Sequence, residues 1–98
     1  MLFAVLFTDR PGQGAVRTAQ LAAHIDWLVQ HRAIVPVGGS LRQEPGDVPL
    51  GGLWMARAQS KAQLEALIQT APLYQAGRRQ SDEILHWSAA NAERLELI

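Results

Sequence analysis

The chain contains no cysteine, which excludes a disulfide framework, thiolate chemistry and a zinc–sulfur centre. Neither charge is in excess, with nine Lys and Arg against nine Asp and Glu. That balance excludes a nucleic-acid binder working through a basic surface and a polybasic membrane patch. Lys61 is the only lysine, so positive charge here is almost entirely arginine. The one long apolar run, Met1–Phe7, meets Asp9-Arg10 soon after. It is too short to span a bilayer and lacks the basic leader of a signal peptide, so a soluble, cytoplasmic protein with no membrane partner is expected. Gly12-Gln13-Gly14 lacks the third glycine of a dinucleotide site, and no Walker spacing occurs. There is no His-x₃-His pair, and His24 and His31 on one helix would stand about 10.5 Å apart along its axis. No metal and no cofactor are therefore expected.

What is present is an ordinary globular composition, 48% hydrophobic and 18% charged over 98 residues. It reads as a single domain, residues 1–98, with a core over 1–87 and a tail over 88–98. Leu2–Thr8 is an apolar strand closed by the turn residues Asp9-Arg10-Pro11-Gly12. Gly14–His31 carries helical spacing. Ile34–Leu41 is a second strand, in which Pro36 demands an edge or a bulge. Arg42–Pro49 is a polar loop and Leu50–Ala58 the third strand. A second helix starts at an N-cap, Ser60, and stops before Pro72. Leu73–Gly77 suits a short turn, Gln80–Trp87 a fourth strand, and Ser88–Ile98 a short helix or docking tail. The order is β-α-β-β-α-β, which predicts an α+β, ferredoxin-like fold with both helices on one face of an antiparallel sheet.

The first helix draws attention to one residue. Leu21, Ile25, Leu28 and Val29 form its apolar stripe, while Arg17, His24 and His31 make a second row along the stripe's edge. His24, whose ordinary pKa of about 6.5 lies close to neutral pH, is the candidate general base or acid. Arg17, two turns earlier, is the candidate for drawing an anionic group towards it. His31 reads as a helix-end cation, and Arg78-Arg79 as surface charge. Trp54 reads as a core residue. Asp26 cannot partner His24, because residues two apart on a helix face different ways; Asp9 at the end of the first strand is a carboxylate that could approach.

The strands carry apolar residues on both faces, in Leu2–Phe7 and in Leu53-Trp54-Met55. With helices on one face only, the other would be a large exposed apolar patch. A homodimer packed through its sheet faces is the expected remedy. An RNA-recognition domain shares the element order, but it needs exposed aromatics in basic surroundings on the third strand, which LWMARA does not supply, so no nucleic-acid partner is expected.

Four patches, taken in order, resemble the YCII-related family of the dimeric α/β-barrel superfamily: Thr8-Asp9-Arg10-Pro11-Gly12; Arg17 seven residues before His24, with Trp27-Leu28 following; Gly38-Gly39-Ser40-Leu41, with Ser40 in place of a proline; and Gly51-Gly52-Leu53 followed by Ala71-Pro72-Leu73-Tyr74-Gln75-Ala76-Gly77. The resemblance implies a dimeric α/β barrel with a pocket around His24, and with Arg17, Gly39, Ser40, Pro72 and Tyr74 as substrate-binding residues. The family's active-site pair is the histidine and an aspartate before the proline of the last patch. This chain has Ala71 there. A carboxylate beside an imidazole fixes its tautomer and stabilises the imidazolium, so its loss weakens acid–base chemistry.

Two functions stay open. One is a cofactor-independent enzyme, of lyase or isomerase type, in which His24 moves a proton on a small organic substrate. The other is a non-catalytic dimeric module that binds a small ligand and has lost the acidic partner.

Overall fold

The structure is a computed structural model that describes residues 1–88. Its elements are β1 (Leu2–Asp9), α1 (Gly14–Gln30), β2 (Val37–Leu41), β3 (Gly51–Arg57), α2 (Lys61–Ile68), α3 (Pro72–Gln75) and β4 (Arg79–His86). The strands form one sheet in the order β2-β3-β1-β4, every neighbouring pair antiparallel. This is the ferredoxin-like α+β arrangement expected from the element order. The expected tail falls, from residue 89 onward, outside the described residues.

Local chemistry explains most boundaries. Ser60 caps α2 as its position implies, its Oγ accepting from the Gln63 N–H at 3.2 Å. The Gln63 Oε1 accepts in turn from the Gln59 N–H at 2.8 Å, a reciprocal cap that satisfies two otherwise orphaned donors. Pro72 opens α3 at a helical position where no donor is needed. Pro36 stands just before β2, so it removes no ladder bond, and β2 is an edge strand. Gly51 allows β3 to approach β1 closely: a Cβ there would lie 1.9 Å from the Phe7 carbonyl oxygen.

Directly paired residues share a face of the sheet. Phe3, Val5 and Phe7 of β1 lie opposite Ala56, Trp54 and Gly52 of β3, and Val5 also lies opposite Ile84 of β4. This is the helix-covered face, and with Trp27, Leu64 and Ile68 it makes the core. The other face carries Leu6, Leu85, Val37 and Leu41, each between 36% and 42% exposed in the single chain.

The first helix is rotated from the expected orientation. Ile25 and Val29 are each 52% exposed, whereas Trp27 is buried. The stripe turned to the sheet is Arg17, Gln20, Leu21, His24, Trp27, Leu28 and His31, all buried or half-buried. Trp27 decides this. Its ring stacks on Trp54 with centroids 5.1 Å apart, and its Nε1–H donates to the Thr70 Oγ1 at 3.1 Å. An indole buries more apolar area than Ile and Val side chains while still placing its one donor. Gly38 lets the helix come close, since a Cβ there would stand 3.2 Å from the Leu28 Cδ2.

Candidate functional site

The rotation moves His24 from the edge of the core-facing stripe to its middle. One turn towards the C-terminus, Trp27 covers Trp54, which meets Phe7 edge-on at 4.7 Å between ring centroids. Two turns towards the N-terminus lies Arg17, half-buried. The His24 Nδ1 is buried and has no hydrogen-bond partner among the described residues. No side chain of the described part of the fold therefore fixes its tautomer, in keeping with Ala71, buried at the start of α3, where the resemblance places a carboxylate.

Beneath the N-terminal half of α1 sits a charged cluster. Asp9 ends β1 after a register shift between Thr8 and Asp9, and it is buried. Its Oδ2 accepts from the Arg78 Nε at 3.0 Å and its Oδ1 from the Arg79 Nη1 at 2.6 Å. The Arg78 Nη1 also donates to the Gln13 carbonyl at 2.7 Å, and Nη2 to that of Pro49 at 3.4 Å. Arg78 thus ties the end of β1, the residue before α1 and the approach to β3 into one knot. Arg79 runs back from β4 across β1. Its guanidinium lies 4.5 Å from the Phe7 ring centroid, and a Cβ on Gly52 would be 3.4 Å from its Nη1 and Nη2.

The arginine pair expected at the surface is therefore interior, with Arg78 only 2% exposed. Gly77, at φ +80°, turns the chain inward after α3, and the Arg78 N–H closes that turn on the Leu73 carbonyl at 3.1 Å. Sequence reasoning left out this cluster. The available signal was Asp9, a single acid ending an apolar strand, together with the fold's own pairing of β1 with β4.

Burial of the His24 ring, then the positive charges of Arg79 and Arg17, push its pKa down from 6.5 to about 4, against a smaller opposing pull from Asp9. His24 is a neutral imidazole at neutral pH. His31 stacks on Trp27, centroids 4.2 Å apart, with its Nδ1 2.7 Å from the Trp27 carbonyl, so it closes the helix end.

The remaining site candidates are more dispersed. Arg17 lines a groove of about 360 Å³ with Arg42, Asp47 and Pro49, between α1 and the β2–β3 loop. Ser40 pairs with Gly52, on the helix side of the sheet near Arg79. Gly39 pairs with Leu53, on the opposite face. Pro72 lines a groove with Gln20 and Ala23 of α1. Tyr74 is exposed on α3 and shares another groove with Arg10 and Arg79. Among the described residues no group of three His, Asp or Glu side chains could hold a metal ion, and no helix is long and apolar enough to cross a membrane.

The fold and this histidine–arginine site define a small ferredoxin-like α+β domain with an interior polar centre. The chain belongs to the YCII-related family, whose domain profile matches residues 1–88. Among solved structures it is similar to 5-chloro-2-hydroxyhydroquinone dehydrochlorinase (TftG) from Burkholderia phenoliruptrix AC1100 in complex with 2,5-dihydroxybenzoquinone. The TM-score is 0.82 at 26% identity, over 92% of this chain and 96% of that one. No curated protein matches the chain.

Proposed function

We propose that this protein is a cofactor-independent enzyme that moves a proton on a small organic substrate, with His24 as the base. The observation that carries the reading is the His24 ring, held neutral in the middle of the sheet-facing stripe with its Nδ1 unpartnered by the described residues. A neutral ring nitrogen accepts a proton from a carbon or hydroxyl beside a carbonyl, and the electron pair moves onto the carbonyl oxygen. Arg79 and Arg17 carry positive charge near His24 and stabilise that oxygen. Return of the proton to a different atom completes an isomerisation; expulsion of a leaving group from the adjacent carbon completes an elimination. The structural likeness to a dehydrochlorinase bound to a dihydroxybenzoquinone favours elimination on an oxygenated ring as the first chemistry to try.

A second reading has one observation in its favour. With Ala71 where the family's aspartate belongs, nothing among the described residues orients the imidazole. The chain would then be a ligand-binding module without turnover. His24→Gln separates the two. Under the enzyme reading it lowers turnover of halogenated hydroxyhydroquinones by at least about 100-fold, the usual range for a lost general base, with the fold retained. If no turnover occurs in the parent, while 2,5-dihydroxybenzoquinone binds parent and variant equally, the binding-module reading replaces it.

The working form we propose is a homodimer joined through the sheet faces, because Leu6, Leu85, Val37 and Leu41 together leave an apolar patch on the side away from the helices. Light scattering at micromolar concentration is expected to give twice the 10.8 kDa chain mass; a stable 10.8 kDa species contradicts it.

A further inference from the structure

The chain is electrically balanced as a whole, yet the region around His24 is not. The groove beside Arg17 and the cluster beneath it bring together Arg17, Arg42, Arg78 and Arg79 against two aspartates, Asp9 and Asp47. The four arginines do different work. Each of the three nitrogens of Arg78 donates, Nε to the Asp9 carboxylate and Nη1 and Nη2 to backbone carbonyls. Arg42 donates to the Asp47 carbonyl at the groove's rim. Arg79 makes one hydrogen bond among the described residues, from Nη1 to Asp9, although its side chain is only 7% exposed.

A guanidinium has five N–H donors in a planar fork, matched to a carboxylate or another delocalised oxyanion. Among the described residues the one buried side-chain nitrogen or oxygen without a partner is the His24 Nδ1, so the unpaired donors of Arg79 keep contact with solvent and are open to an incoming acceptor. The position of Arg79 is also fixed in advance. Asp9 holds one edge of the fork, the Phe7 ring supports its face at 4.5 Å, and Gly52 keeps side-chain bulk away from the Nη1 and Nη2 edge. These three restraints come from two different strands, so the charge is seated before any ligand is present. Arg17 belongs at once to the wall of the groove and to the charges acting on His24.

Arg79 lines the groove it shares with Arg10, Tyr74 and Asp82, separate from that of Arg17. We infer that the site takes a small organic anion, seated by its charged oxygen atoms on the donors of Arg79 that no described residue takes. This rests on the reading of His24 as the centre of the site and adds the class of molecule it receives. An anion in this place offsets the positive charges that hold the imidazole's basicity down, so binding and base strength rise together. A neutral ligand of the same shape gains neither effect.

The test compares benzoate with benzamide, which differ mainly in charge, by calorimetric titration of the full chain. Benzoate is expected to bind saturably and at least about tenfold more tightly than benzamide, with the advantage shrinking as salt is raised. Arg79→Gln is expected to remove that advantage and Arg79→Lys to retain part of it. The circular dichroism of each variant is compared with the parent, and the salt series on the parent needs no variant at all. Equal binding of the two probes, absence of saturable benzoate binding to the parent, or Arg79→Gln binding benzoate as the parent does overturns the inference. Failure of the proton-transfer reading would show in turnover and leave this binding result standing.

Discussion

His24 combines two properties that rarely coexist in a solvated side chain: it is neutral well below its ordinary pKa, and its Nδ1 is buried without a partner among the described residues. The sign of the resulting pH effect follows from proton counting. Above about pH 6.5 the ring is neutral in both folded and unfolded chains and contributes no pH dependence. Between 6.5 and about 4 the unfolded chain holds the extra proton, so folding weakens as pH falls through that window. The full shift would be worth about 3 kcal/mol, and solvent around a half-buried ring reduces it. Urea unfolding at pH 7 and pH 5 is expected to show a larger loss for the parent than for His24→Gln, which lacks the titrating group; equal losses would show that the ring titrates normally. Asp9 does not take over the role of the family's aspartate, because both its oxygens are committed to Arg78 and Arg79. It holds the arginines, and one of these acts on the histidine.

At the scale of elements, the first helix carries the sharpest lesson. Of its apolar residues Leu21 and Leu28 keep to the sheet side while Ile25 and Val29 face outward, so the helix takes the rotation that buries Trp27 rather than the one that buries Ile25 and Val29. Hydrophobic spacing could not decide between them, because both bury a helical repeat and the winner depends on a partner, Trp54, from another element. Trp27→Ala is expected to destabilise the fold by about 3–5 kcal/mol. The double substitution Ile25→Gln and Val29→Gln is expected to stay within about 1 kcal/mol, since neither residue is in the core. Denaturant midpoints check this, and the reverse ranking would mean that the helix sits in the other rotation. Elements specified by local chemistry were legible in advance: Ser60 as a cap, Pro72 as the stop beyond the second helix, Pro36 as the mark of an edge. Arg78 and Arg79 were not, since a charged pair after a glycine looks solvent-facing. Their partner Asp9 lies 69 residues before Arg78 and reaches it only when β4 docks beside β1.

For the whole molecule, the ferredoxin-like topology explains why charged groups collect at one end. β1 lies between β3 and β4, so the end of β1, the start of β4 and the start of β3 converge where α1 begins. Asp9, Arg17, Gly52 and the adjacent Arg78 and Arg79 meet there from four separate stretches of a chain whose overall charge is zero. Element order was readable from the sequence; the local excess of positive charge around His24 was not, because it exists only once the sheet closes. The proposed proton transfer depends on an imidazole kept neutral by burial and by arginines. The direct measurement is an NMR pH titration of the His24 ring in the folded parent protein. A midpoint near about 4 is predicted; a midpoint at the ordinary value of about 6.5 would contradict the account.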